Sequence, residues 1–232
     1  MDFHPASPGS VFAFVAIVAA VIATFFWAIK RAYREDVRTM VYARVGVIGW
    51  LGALGAVVAS GRLATLPMHG LPFFFGSILV VSVGLGLSPV GARLAAGVPL
   101  AALVGFQAFR LPLELVLHEW AAQGTIPGTM TWTGQNWDIV SGIVALLAAP
   151  LAGRYPGAAR IANIIGGALL LNVIRVAVMS SPLPFGWGQQ PPLLLALHLP
   201  YALIGPVCVG GALFGHVVLT RRLWQKQLKA EG

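Results

Sequence analysis

Acidic side chains are scarce in this chain: seven Asp and Glu stand in 232 residues, against fifteen Lys and Arg. Charged residues of both signs make up only 9%, where a soluble domain carries about 25%, so the chain lacks the polar surface with which a globular domain meets water. There is one cysteine, Cys208, which excludes a disulfide framework, a CxxC pair and a thiolate metal site. The segment Met1 to Ser10 holds Asp2 and His4 but no Lys or Arg, and without a basic region ahead of it the first apolar run is expected to be retained rather than cleaved as a signal peptide. No Gly/Ser linker and no internal repeat divides the sequence, so residues 1–232 read as a single domain. No motif for a cofactor is present, and none is expected.

Apolar residues fill the space that charge leaves. The chain is 58% hydrophobic with a mean hydropathy of +0.84, which predicts an all-α, polytopic membrane bundle. Seven apolar runs approach the length needed to cross about 30 Å of hydrocarbon. They lie near residues 10–29, 40–60, 70–90, 94–119, 137–153, 160–180 and 194–219. The formal charge of +8 is spread along the chain, with many basic residues at the ends of these runs; that sets topology and does not build a nucleic-acid face. With seven spans, Lys30 to Arg38, Arg93, Arg154, Arg160 and Arg221 to Lys229 fall on one side and Arg62 on the other. The positive-inside rule then places the amino terminus outside and the carboxyl terminus in the cytoplasm, the topology of a multi-pass protein of the bacterial inner membrane.

Against this background, four runs in the second half carry polar residues toward the same face: Arg110, Glu114 and His118; Asp138; Asn172 and Arg175; and His198, with Asn136 at the entrance to the second of these. Ionisable groups within a span are costly, so they pair, face a wet cavity or do chemistry. Counted at 1.5 Å per residue from Arg93, Arg160 and Arg154, the residues Arg110, Arg175 and Asp138 stand at roughly equal depths of about 26, 22 and 24 Å, an expected constellation in the outer half. Gln107, Arg110, Glu114 and His118 are spaced three, four and four and share one helical face, where Arg110 can pair with Glu114, and Pro112 between them can kink the helix. Asn172 and Arg175 share a face of their own. Two loops rich in Gly, Pro, Thr and Trp, Gln123 to Gln135 and Ser180 to Pro192, can cap the site or lie in the interface with Trp132, Trp137 and Trp187. Arg44, His69 and His216 read as background.

Two arginines against two carboxylates form a nearly neutral set, and pairs of Arg110 with Glu114 and of Arg175 with Asp138 would suffice to lock helices together. The surplus of His118, His198, Asn136, Asn172 and Gln107 points beyond ion pairing to a ligand or reaction site. In that reading Arg110 and Arg175, with Asn172 and Asn136, bind an anionic group of a lipid or peptide, and His198 or His118 works as acid and base with Asp138 or Glu114. A metal held by His118, His198, Glu114 and Asp138 is the weaker alternative, because no paired-ligand spacing supports it and the arginines repel a cation.

At Val140-Ser141-Gly142-Ile143, Asn172-Val173-Ile174-Arg175 and His198 the chain resembles the exosortases and archaeosortases, polytopic enzymes that process carboxyl-terminal sorting signals outside the membrane. The resemblance covers about residues 137–200 and makes Arg175 the family's arginine and His198 its histidine. The family's cysteine before Ser-Gly is Val140 here, and Cys208 lies ten residues from His198 on the same run, about 15 Å deeper, so a Cys-His acyl transfer is not implied. Over Phe109 to Leu219, FRLPLELVLH, GQNWDIVSGI and NVIR resemble a family of bacterial membrane proteins without an assigned activity. Three functions follow: an exosortase-like enzyme of non-cysteine chemistry; a binding or transport protein, which the apolar inner halves of spans four to seven disfavour; and an accessory subunit.

Overall fold

A computed structural model describes residues 3–34, 36–65 and 70–231, without the side chains of Ala64 and residues 226–231. Asp2, Glu35 and His69 lie outside the described residues, as do the side chains of Lys226 and Lys229. The described chain is helices and turns, with no strand.

The first helix, α1 (Pro8–Ala32), begins at Ser7, whose hydroxyl accepts from the Ser10 amide, with Pro8 in the first turn and Lys30 and Arg31 in the last; each end is placed as the orphan backbone groups and the helix dipole require. Helix α2 (Val37–Ala59) starts at Asp36, which accepts from the Arg38 amide. After the short α3 (Arg62–Thr65) come α4 (Gly70–Leu87) and α5 (Pro89–Gly97). The turn between these last two brings backbones so close that a Cβ on Gly91 would stand 1.9 Å from the Gly86 carbonyl oxygen.

The fourth expected span, 94–119, is broken. Val98 is extended, with φ −91° and ψ 136°, because the residue before Pro99 is pushed out of the helical region. The chain restarts as α6 (Leu100–Gly105), tightens into a 3-10 turn over Phe106–Phe109 and continues as α7 (Arg110–Ala122); Leu100–Ala122 is the stretch able to cross a membrane. The fifth run, 137–153, forms only a ten-residue helix, α8 (Ile139–Ala148), with turns after it, which is about 15 Å long and half a span. The sixth is the unbroken α9 (Pro156–Ser180). The seventh is irregular from Leu193 to Pro200, apart from a 3-10 turn at Leu195–Leu197. It passes through a 3-10 turn at Tyr201–Ile204 and a π turn at Gly205–Val209, then becomes α10 (Gly210–Glu231). Among the described residues six helical stretches are therefore long and apolar enough to cross a membrane, and α8 is a shorter apolar helix.

The two most enclosed stretches are Leu100–Ala122 and Tyr201–Gln225, with 50% and 56% of their apolar windows buried, against 11% for α2 and α4. Helix α10 packs on α4, α5, α6 and α9, while α1 packs on α2, α5 and α7. Basic residues gather at one end of this bundle, where Arg221 donates to the Gly86 and Ser88 carbonyls, Arg222 to the Ala96 carbonyl, and Arg93 lies over the Tyr33 ring. At that end Ile29, Leu94, Leu103, Ala152 and Leu219 share one apolar core; toward the opposite end Phe14, Leu117, Trp120, Val176 and Tyr201 share another. The buried polar residues include Arg110 and Glu114 of α7, Asn136, Asp138 and Ser141 just before and at the start of α8, and His216 of α10.

Candidate functional site

Arg110 is 1% exposed and stands at the first position of α7. Helical side chains lean toward the amino-terminal end of their helix, so its guanidinium reaches back toward the basic end and away from Glu114, one turn further on. Nε donates to Asp138 Oδ2 at 2.5 Å and Nη2 to Asp138 Oδ1, while Nη1 donates to the Gly166 carbonyl at 2.9 Å and meets His216 Nε2 at 3.2 Å. The expected partners are thus exchanged: Arg110 pairs with Asp138, and Glu114 with neither arginine.

Two glycines make this junction fit. A Cβ on Gly142 would stand 2.4 Å from the Leu111 amide nitrogen, so the glycine lets the start of α8 lie against the start of α7; a Cβ on Gly166 would stand 2.8 Å from His216 Cε1. Ser141, beside Gly142, donates its hydroxyl to Asp138 Oδ1 at 2.9 Å. The Ser-Gly pair here serves the ion pair.

Since arginine has no acceptor, His216 must accept at Nε2 and carry its proton on Nδ1, which then donates to Asn163 Oδ1 at 2.8 Å. Asn163 donates to Thr220 Oγ1 at 2.8 Å, and Thr220 donates to the His216 carbonyl. His216, read from the sequence as background, is part of the buried network, which runs on from Arg110 toward the basic end. The inner halves of the spans are therefore not uniformly apolar. The depth count that aligned Arg110 with Arg175 also fails, because it ran from Arg93 through the break at Val98; the Arg110 head meets Gly166, nine residues nearer than Arg175 to the start of α9. A signal was present: His216 and Asn163 lie close to Arg221 and Arg160, and His216 and Thr220 are i and i+4.

Glu114, also 1% exposed, accepts from Asn136 Nδ2 at 2.9 and 3.1 Å. Asn136 is fully buried; it donates to the Met130 carbonyl as well and accepts from the Asp138 amide at 3.2 Å. It comes from the loop between α7 and α8, which turns into the protein and buries Thr125, Ile126, Met130 and Thr131. Non-helical backbone at membrane depth is tolerated only where protein or a cavity covers it. Here there is such a cavity, of about 290 Å³, between α4, α7, α9 and the irregular stretch Leu193–Leu197. Leu113, Leu117, Leu170, Ala177, Leu195 and Cys208 contribute to its apolar wall, and Glu114, Asp138 and Arg110 are its charged lining. Ser181, Leu183 and Phe185 of the second loop also border it.

The other predicted residues stand apart from this centre. Arg175 is exposed; its Nε and Nη2 donate to Asn172 Oδ1 at 3.3 and 3.0 Å, Nη2 also to Gln135 Oε1 at 3.2 Å, and the head lies over the Trp187 ring. Asn172 donates to the Gln135 carbonyl at 2.7 Å. His198 stacks on Phe3 with centroids 4.0 Å apart. His118 stacks on Trp132 with centroids 4.1 Å apart. Among the described residues no three of His, Cys, Asp and Glu converge as a metal site. Compared with protein-family models, curated proteins and solved structures, the chain matches none.

Proposed function

We propose that this is a multi-pass protein of the bacterial cytoplasmic membrane, amino terminus outside, that binds a hydrophobic ligand with a cationic head. The apolar body occupies the 290 Å³ cavity and the head meets Glu114. One observation carries this reading: Glu114 is buried on the wall of an apolar cavity and held by an amide, with no cation bonded to it among the described residues. A bare carboxylate in such a place costs several kcal/mol. A proton or a cationic ligand removes that cost, and the two compete for one position.

Arg110 is already neutralised by Asp138, so an anionic head finds no free positive charge among the described residues that line the cavity. Anionic recognition finds its support at Arg175 instead, whose Nη1 makes no hydrogen bond among the described residues. That favours, as a second reading, an enzyme acting on an anionic lipid or peptide group beside Arg175 and His198.

The test uses the protein in lipid nanodiscs and decyltrimethylammonium below its micellar concentration. Binding with release of about one proton per cation is expected, and Glu114→Gln, with unchanged gel-filtration behaviour, abolishes both. Unchanged affinity in Glu114→Gln overturns the proposal. Binding of a decyl phosphate that Arg175→Gln abolishes selects the second reading.

A further inference from the structure

Exchange of a proton for a cation at Glu114 requires a path for the proton, and the cavity wall is apolar. His118 follows Glu114 by four residues on α7, which puts their Cβ atoms about 5–6 Å apart on one face. Both side chains turn to the same loop: Asn136 donates to Glu114, and Trp132 covers the His118 ring with an interplanar angle of 16°. Beneath that cover His118 Nδ1 is buried and has no hydrogen-bond partner among the described residues. The residue as a whole remains part-exposed, so another edge of the ring reaches the surface. A buried ring nitrogen without a partner is uncommon and calls for a reason.

The charges around it are few. The loop from Gln123 to Trp137 carries none. Glu119 on the same helix accepts from Gln123, and Arg175 of α9 reaches the loop at Gln135. Glu114 is thus the ionisable group presented toward the loop beside His118.

We infer that His118 is the proton-transfer residue for Glu114, an inference that rests on the cation-for-proton reading above. As the cationic head arrives, the Glu114 O–H bond breaks and its proton passes through one bridging water to the lone pair of His118 Nδ1, leaving a carboxylate paired with the ligand and an imidazolium. The Nε2 proton then leaves to solvent at the loop end, and the ring returns to neutral. One cation is bound, one proton is released and no other reactant is consumed. When the ligand leaves, the same ring returns a proton inward.

The experiment is stopped-flow mixing of nanodisc-embedded protein with decyltrimethylammonium in weak buffer containing a pH indicator. His118→Phe keeps a ring against Trp132. It is expected to bind with unchanged affinity and to release the same amount of proton, but about a hundredfold more slowly; added imidazole restores the rate. Release at the wild-type rate in His118→Phe overturns the assignment. So does a loss of affinity that imidazole does not repair, since that marks a packing role. If wild type itself releases no proton on binding, the cation-for-proton reading falls first, whatever the variant does.

Discussion

Asp138→Asn leaves the shape of the junction intact and removes the charge that answers Arg110. In the folded protein Arg110 would keep the Gly166 carbonyl and His216 Nε2 as acceptors, but its positive charge would be buried, at 1% exposure, with no counterion bonded to it. Breaking one side of a buried pair costs about 3–5 kcal/mol, which is roughly two to three and a half powers of ten in the folding equilibrium. The double variant Arg110→Met/Asp138→Leu removes both charges together and replaces them with side chains suited to the surrounding apolar cores. Such replacements are often neutral, so the double variant should be more stable than Asp138→Asn, although it carries more changes. Reversible unfolding in mixed micelles with increasing dodecyl sulfate, followed by tryptophan fluorescence, measures all three proteins. Additive losses, with the double variant the least stable, would refute the pairing of Arg110 with Asp138. Glu114→Gln serves as a control: if Glu114 were the counterion, it would show the larger loss.

The same assay should find Gly142→Ala destabilised by more than about 3 kcal/mol, because the added carbon meets the Leu111 backbone at 2.4 Å and no rotamer relieves it. His216→Phe strips Arg110 of one acceptor and leaves Asn163 Oδ1 without its donor; a loss of about 1–3 kcal/mol is expected, and Asn163→Leu in the same chain should recover part of it. At the helix start outside the membrane, the Thr39 hydroxyl, 2.7 Å from Asp36, holds that carboxyl below the ordinary range. Because the folded value is the lower one, the cap is fully formed above the ordinary carboxylate range and is lost as pH falls through the depressed value; Thr39→Val should move the Asp36 titration upward by NMR. A fluorescent protein fused to the carboxyl terminus should glow and alkaline phosphatase at the same site should be inactive, and the reverse result overturns the orientation.

Composition carried the architecture. Long apolar runs with basic ends announce a helical bundle because bilayer thickness and backbone hydrogen bonding leave few alternatives, and the cost of placing such groups in a span singled out Arg110, Glu114, Asp138 and Asn136, which the structure buries. What escaped was whatever depended on contacts between segments. Pro99 broke the fourth span at Val98, and a depth count that ignores this moves Arg110 outward by several residues. The partner of Arg110 was decided by side-chain lean and by the close approach at Gly142, neither of which is local to the Arg110-Glu114 pair. His216 and Asn163 are single polar residues in otherwise apolar runs, so each looked incidental until the fold set them face to face. Arg175 and His198 were grouped with the buried residues by shared depth, and the structure sets them apart from Arg110 and Glu114 because depth says nothing of which way a helix face turns.

Arg110 ties together α7, α8, α9 and α10, and that knot has an order in time. The arginine leaves the ribosome before any of its partners: Asp138 follows 28 residues later, Gly166 56 and His216 106. At about 5–20 residues per second the last partner arrives roughly 5–20 s after the arginine, and meanwhile the arginine costs its span about 2.5–3.5 kcal/mol at the centre of the bilayer. The Leu100–Ala122 segment must therefore wait at the insertion machinery or enter the bilayer shallowly, and settle only when the last helix is made. A chain truncated before His216 should leave the fourth span poorly inserted even though every residue of that span is present.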